Sequence, residues 1–425
     1  MKVLLALNSL GIGGTETYVF TVAEQLDRLA HEVAIFSPEP GKGLELAHER
    51  GLKVVGRGAL EDQFDAALVQ DAAVAYEVAE RCPRAKSVFV GHSESFDPQS
   101  PPQLPGTVDL LVALNDRVEQ RLRSFAEEHE VVRLRQPIDT ERFVAAGALP
   151  EKARRALILS NNIIADRESM LEEACTAVGW EVSRTGGGGR QTTDPRQALA
   201  EADVVIGYGR AVLEAMACGR AAFVYDWAGG DGWVTAESFA ALEADGFAGR
   251  GEAVFDLDRL TEAFSRYDRS MGPVNHDLVI AHHRANVHAQ SLVEIFNRVA
   301  APAGRPDAPL ADMARLVRLE WRARAEIHGL RAEAARLHQR LHSIGEELTA
   351  ANQRIAAGEK AREAADAERL QAEQRATEVA RLAEAETAER YESTFSWRLT
   401  RPLRRAAAAL RTARNPGSGG SSSRR

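Results

Sequence analysis

Three cysteines, Cys82, Cys175 and Cys218, are all that 425 residues contain. They are odd in number and far apart, which argues against a disulfide framework or a zinc cluster. Free thiols in a reducing compartment are the simpler reading. No apolar run is long enough to span a bilayer. The opening stretch 1–7 is apolar, but Asn8, Ser9 and Gly11 cut it too short for a signal-peptide core. Positive charge is also in deficit. A net charge of −9 argues against a general nucleic-acid binder. These absences lead us to expect a soluble, cytoplasmic protein, with peripheral attachment at the inner face of a membrane left open.

Hydrophobic residues make up 44% of the chain, enough for sizeable cores in its first part. There, short apolar runs alternate with amphipathic segments. Stretches 3–7, 33–36, 66–69, 87–90 and 110–113 predict buried parallel strands. Residues 15–28 place Tyr18, Val22 and Leu26 on one helical stripe. The alternation predicts an α/β, Rossmann-like domain over 1–145. A turn-rich junction from Gln136 to Pro150 follows. A second series, with strands expected at 156–159, 181–183, 204–207 and 222–225, predicts a smaller Rossmann-like domain over 146–300. One long helix is expected at 277–299.

Residues 301–312 are a linker by composition. Beyond them Leu316, Ala323, Leu330, Leu337, Ile344 and Ala351 recur every seven residues. Ile327, Ala334, Leu341, Leu348 and Ile355 fill the companion position. The repeat predicts a long α-helical coiled coil over 313–392 and hence a homo-oligomer. A lone solvated helix is the alternative. Past Gly358 the seam turns alanine-rich. Residues 393–414 form a basic amphipathic tail, with arginines and no acids from Arg398 to Arg414. Residues 415–425 are Gly/Ser-rich and expected to be disordered.

Candidate chemistry sits in three loops. Gly11, Gly13 and Gly14 lie between the first strand and first helix, where glycines let backbone approach a ligand and helix amides meet an anion. A tight turn without a ligand explains them equally. In the second domain Tyr208, Gly209 and Arg210 form a turn after a strand. Glu214 is expected in the first turn of the next helix, where a carboxylate can accept two ribose hydroxyls while Arg210 and helix amides face a diphosphate. Glu214 complementing the helix dipole is the plainer reading. Gly229, Gly230, Asp231, Gly232 and Trp233 read as a loop at the carboxyl edge of the sheet. There Asp231 and Gly230 would meet a ligand, and Trp233 would stack on it. A rigid surface turn is the alternative. Gly186–Gly189 lacks the Lys-Ser/Thr of a P-loop and reads as a flexible loop. His276, His282, His283 and His288 lack convincing metal spacing, so no metal site is expected.

Leu213-Glu214-Ala215-Met216-Ala217-Cys218-Gly219-Arg220 is similar to a signature of the retaining glycosyltransferases of family four. Gly13-Gly14-Thr15-Glu16 resembles their glycine loop, Leu29-Ala30-His31-Glu32-Val33 the start of their second strand, and Pro137-Ile138-Asp139-Thr140-Glu141-Arg142-Phe143 their interdomain junction. The four matches occur in order within the first 300 residues. The resemblance implies a GT-B fold of two Rossmann-like domains, with the acceptor on the first and a nucleotide-sugar donor on the second. It implies no obligatory metal and no cofactor beyond the nucleotide-sugar substrate. Carried over, Glu214 binds the donor ribose, Gly13, Gly14 and Gly209 admit the diphosphate, and His92 lies near the reacting sugar. A structural role is the plainer account of a histidine at a strand end.

The departures are specific. The family's first glutamate, eight residues before Glu214, is Ile206 here. Its basic pair after the first strand of the second domain is replaced by Ser160-Asn161-Asn162. Arg167 and Arg210 are the candidates to supply that charge and stabilise a leaving diphosphate. The tail Ser396-Trp397-Arg398-Leu399-Thr400-Arg401-Pro402-Leu403-Arg404 resembles the ending of many bacterial surface-polysaccharide glycosyltransferases, and could contact a membrane surface or a protein. The sequence therefore leads to transfer of a sugar from a nucleotide donor to a glycan or lipid-linked acceptor. A catalytically degenerate scaffold working through its coiled coil, and a sugar-nucleotide epimerase of the same fold, remain as alternatives.

Overall fold

The structure is a computed structural model that describes residues 1–413 except 61–62, 126–128, 162, 164, 187–191, 193, 227–228, 251–254 and 303. The tail 415–425, most of the Gly186–Gly189 run and Asn162 lie outside the described residues. Met1–Glu326 form one compact unit, and the chain from Ile327 onward a second.

The first domain is built on seven parallel strands: β1 (Lys2–Ala6), β2 (Glu32–Phe36), β3 (Val54–Val55), β4 (Ala66–Val69), β5 (Lys86–Gly91), β6 (Leu110–Ala113) and β7 (Val131–Arg133). Their order is β3-β2-β1-β4-β5-β6-β7. Val3–Ala6 and Ala66–Val69 are buried at every residue, because helices cover both faces of a parallel sheet. Those helices are α1 (Gly14–Arg28), α2 (Gly43–Glu49), α3 (Ala72–Arg81) and α4 (Asp116–Phe125). Asp71 starts α3 by accepting from the Val74 amide at 3.0 Å.

The second domain has β8 (Arg155–Leu159), β9 (Glu181–Thr185), β10 (Val204–Gly207), β11 (Ala221–Asp226) and β12 (Gly229–Trp233), in the order β9-β8-β10-β11-β12. Its helices are α5 (Ala165–Ala177), α6 (Arg196–Glu201), α7 (Arg210–Ala217), α8 (Phe239–Ala244) and α9 (Leu257–Ser265). β12 pairs antiparallel with β11, with a register shift between Val224 and Tyr225. This corrects the ligand-loop reading of Gly230 and Asp231. Three glycines erase the alternation that marks a strand, and positive φ at Gly229 and Gly232 lets the ribbon turn back. Trp233 faces inward against Phe223, ring centroids 5.0 Å apart, and its Nε1 donates to the Ala263 carbonyl at 2.7 Å.

The expected helix at 277–299 is two helices, α10 (Met271–His282) and α11 (Ala285–Arg298). The break has a cause. Ile138, on the outbound interdomain connection, donates its amide to the His283 carbonyl at 2.7 Å and accepts from the Ala285 amide at 3.0 Å. Here α10 packs on α7 of the second domain and α11 on α1 of the first.

The stretch read as a linker is pinned. Arg305, its side chain 5% exposed, pairs with Asp109 at 3.0 Å and donates to the Gly106 carbonyl at 3.0 Å. Helix α12 then begins at Leu310, three residues before the expected start, and runs unbroken to Glu392. Its first turns belong to the first domain. Leu310 and Ala314 are buried against Ala72, Tyr76 and Ala79. One turn further, Arg318 donates to Asn8 Oδ1 at 3.1 Å and pairs with Glu77, and Trp321 meets Phe96 edge-on at 5.1 Å. The seam residues Leu316, Ile327, Leu330, Leu337, Leu341, Ile344, Leu348 and Ile355 are exposed along α12. A last helix, α13 (Phe395–Ala413), carries the basic tail.

Candidate active site

A cleft of about 610 Å³ opens between the carboxyl edges of the two sheets. Each sheet contributes the point where its strand order reverses, the place at which α/β folds bind ligands. In the first sheet this is the β1/β4 border, where Gly11–Glu16 enters the cleft. In the second it is the β8/β10 border, where Ser160, Asn161, Tyr208, Gly209 and Arg210 do.

Gly13 and Gly14 line the cleft at the start of α1. Glu16 folds back on this loop and accepts the Gly11 amide at 3.1 Å. Burial raises its carboxyl above the ordinary value, against the pull of the amides. The loop leans on α2, where Gly43 meets the carbonyls of Leu10 and Gly11 so closely that no Cβ fits. Sequence reading passed over this support, since a lone glycine before a helix carries no signal.

His92 also lines the cleft, after β5. Its Nε2 stands 2.6 Å from Gln70 Oε1 and its ring meets Tyr18 edge-on at 4.8 Å. Tyr18 donates to His288 Nε2 at 2.9 Å, because His288 Nδ1 donates to the Arg135 carbonyl, also at 2.9 Å. Burial lowers His92 to about 3, helped by His288, and lowers His288 and His283 to about 4. His92 is therefore a neutral ring at pH 7. Donating from Nε2 to Gln70, it keeps Nδ1 as an acceptor.

These three rings give a pH signature. Unfolded, they take up protons near pH 6.5, whereas folded they resist until about pH 4. Acidification across that window therefore favours the unfolded chain, and stability rises with pH. Asp71, pushed up to about 6 by burial, and Glu16, Glu24 and Glu214, raised by the same cause, act in the opposite direction and reduce the effect. The melting temperature is expected to fall from pH 7 to pH 5. A rise toward pH 5 in thermal melts contradicts this account.

Gly209 precedes α7 with φ +55°, a conformation that favours glycine, and donates to the Phe247 carbonyl at 2.8 Å. Glu214 is the fifth residue of α7 rather than a first-turn residue. It is buried, and Arg210 Nε donates to its Oε1 at 2.8 Å. Arg210 Nη1 also donates to the Pro137 carbonyl at 2.9 Å. The structure thus joins to each other two residues expected to hold different parts of a donor. Burial raises the Glu214 carboxyl, and Arg210, Arg142 and Arg50 in turn pull it back.

Arg167 is placed elsewhere. Its Nη1 donates to the Asp226 carbonyl at 3.2 Å and its guanidinium lies over Tyr225. Arg167, Gly230 and Asp231 are not among the described residues that line the cleft. Among the described residues the arginines that do line it are Arg50, Arg142, Arg210 and Arg250. Three of these were missed, because they come from three separate segments and only the fold gathers them. Among the described residues no group of three or more His, Cys, Asp or Glu is placed to hold a metal ion. No helix among them is long and apolar enough to cross a membrane.

The two halves are also latched at the cleft wall, where Glu243 and Asp245 stand. Arg133 of the first domain donates to Glu243 at 2.7 Å, and Arg117 pairs with Asp245.

No family model matches the chain, and no curated protein matches its sequence. Among solved structures it is similar to Anabaena HepE in complex with UDP-glucose, at 12% identity and a TM-score of 0.49, over 70% of this chain and 100% of that one. It is similar to a glycosyltransferase from Rickettsia africae at 13% identity and 0.48, over 70% and 97%. Acinetobacter baumannii MurG matches at 14% and 0.43, over 70% and 99%. The chain's own topology defines the class: two Rossmann-like sheets facing one cleft, with a terminal helix pair divided between them, are the GT-B architecture. A helical extension follows it.

Proposed function

We propose that the protein is a glycosyltransferase that binds a nucleotide-sugar donor in this cleft and passes the sugar to a glycan or lipid-linked acceptor, with retention at the anomeric carbon. The observation that carries the reading is the convergence of both strand-order reversals on one cleft. In it the second domain offers Ser160, Gly209, Arg210 and Glu214 as the donor side. The first offers Gly13, Gly14 and the neutral acceptor nitrogen of His92. The leaving diphosphate is met by Arg210, with Arg142 and Arg50 nearby, rather than by Arg167. Assembly of surface polysaccharide is the setting we favour. The exposed seam of α12 forms a homo-oligomeric coiled coil, and the basic tail makes a peripheral contact with a membrane or a partner protein.

Titration calorimetry with UDP-, GDP-, ADP- and dTDP-sugars tests the donor site. Binding of at least one donor is expected, weakened about tenfold or more in Glu214→Ala, where a buried hydrogen-bonding partner is lost. No heat with any donor, or unchanged affinity in Glu214→Ala, refutes it. The pairing of Arg210 with Glu214 favours a second reading, a catalytically silent scaffold whose former donor site is closed by its own ion pair. Complete absence of donor binding supports that reading.

A further inference from the structure

We propose that α13 is a membrane-surface helix that lies in an anionic lipid interface. The inference stands on the geometry of this helix alone and does not depend on the sugar-transfer reading.

Phe395–Ala413 is one helix of 19 residues with five arginines and no lysine or carboxylate. At about 100° per residue, Phe395, Leu399, Leu403, Ala406 and Leu410 fall within an arc of roughly 80°. The large members are among the most exposed apolar residues of the chain, Phe395 at 82% and Leu403 at 73%. Arg398, Arg405 and Arg411 flank this arc on either side, roughly 100–120° from its centre. Their stems can lie along the apolar layer while the guanidinium groups reach headgroup phosphates. On the remaining face Arg404 lies over the Trp397 ring, 3.5 Å from its centroid, an indole–guanidinium pair suited to the wet side of the interface.

Charge selects the occupant. A second copy of this helix would bring five more cations against five, with no acid to relieve them. An acidic protein groove would satisfy the arginines over one patch. The apolar stripe, however, runs about 22 Å from Phe395 to Leu410, and a lipid surface meets apolar stripe and arginines together along all of it. The helix does not span a bilayer, since it lacks the apolar run to do so.

The full-length protein should be sedimented with vesicles of phosphatidylcholine alone, and with vesicles of equal parts phosphatidylcholine and phosphatidylglycerol. Binding at least tenfold tighter to the anionic vesicles is expected, falling steeply with added salt. Leu399→Asp with Leu403→Asp should weaken it about tenfold or more, since both place charge in the apolar layer. Arg398→Gln, Arg405→Gln and Arg411→Gln combined should do the same. Circular dichroism dominated by α12 reports that each variant is folded. No binding to anionic vesicles at low salt, or unchanged binding in the Asp variant, overturns the proposal. So does capture of an acidic protein by this helix when vesicles are not bound.

Discussion

A chain ended after Ala300 is expected to be less stable by about 4–5 kcal/mol than one ended after Glu326. Both keep every strand of both sheets. They differ only in the segment that composition labels a linker and in the first turns of α12. That segment buries Leu310 against α3, a transfer term of about 2 kcal/mol. Its loss also uncovers Ala72 and Tyr76. It removes Arg305 from Asp109 and Arg318 from Glu77 and Asn8, partly buried charged hydrogen bonds that together contribute about 2–3 kcal/mol. The discount is that Asp109 keeps the Ser87 amide at 2.6 Å and Glu77 keeps Arg57 at the same distance. Denaturant melts of the two truncated chains decide the matter. Equal midpoints would mean that the docked segment adds nothing. The chain ended after Glu326 also tests the coiled coil, because it lacks nearly all of the seam. Light scattering should find it monomeric while the full chain is an oligomer, and an oligomeric short chain would defeat the coiled-coil proposal.

Trp233→Ala should cost about 3–5 kcal/mol, the range for truncating a packed aromatic. Its ring lies against Phe223 and within 6.3–6.5 Å of Trp180, Tyr267 and Phe264, centroid to centroid. Its indole N–H also satisfies the Ala263 carbonyl, which the substitution leaves to find water. The ring thus holds the antiparallel edge of the second sheet onto α9. Donor affinity of the protein that remains folded should be unchanged, since Trp233 does not line the cleft. A variant that keeps its stability but loses donor binding would restore the stacking role that the sequence suggested.

The two predictions fall where sequence and structure part. The long buried strands of both domains were legible because a parallel strand covered on both faces is a continuous apolar run, as at Val3–Ala6 and Val204–Gly207. Strands of two or three residues at the sheet edge, Val54–Val55 and Val131–Arg133, are too short to carry a period. β12 was hidden by its glycines. The docking of the expected linker was hidden because two residues, Arg305 and Leu310, pin it, and composition does not register them. Gly13, Gly14, Gly209 and Glu214 were singled out by local pattern, and the structure brings them to one cleft. Arg50, Arg142 and Arg250 had no local pattern to give them away. The pairing of Arg210 with Glu214 follows from their four-residue spacing on one helix face, a rule that could have been applied beforehand.

The backbone exchange at Ile138 bears on how the cleft works. The chain passes between the domains once outbound near Ile138 and once on the return near Arg284, and these passages are bonded side by side. Two adjoining strands of backbone act as a pivot with one soft axis. The halves can swing about it, but cannot slide apart without breaking the bonds at Ile138. Close beside it sits the Arg133 latch: Arg135, three residues before Ile138, donates to His282 at 3.0 Å and stands 3.5 Å from Glu243, the acid that Arg133 also holds. The crossing is therefore held twice, by main-chain bonds and by a charged brace beside them. Ionic strength, which screens exposed ion pairs and leaves backbone hydrogen bonds alone, has little hold on either, since the side chains of Arg133 and Glu243 are only 20% and 9% exposed.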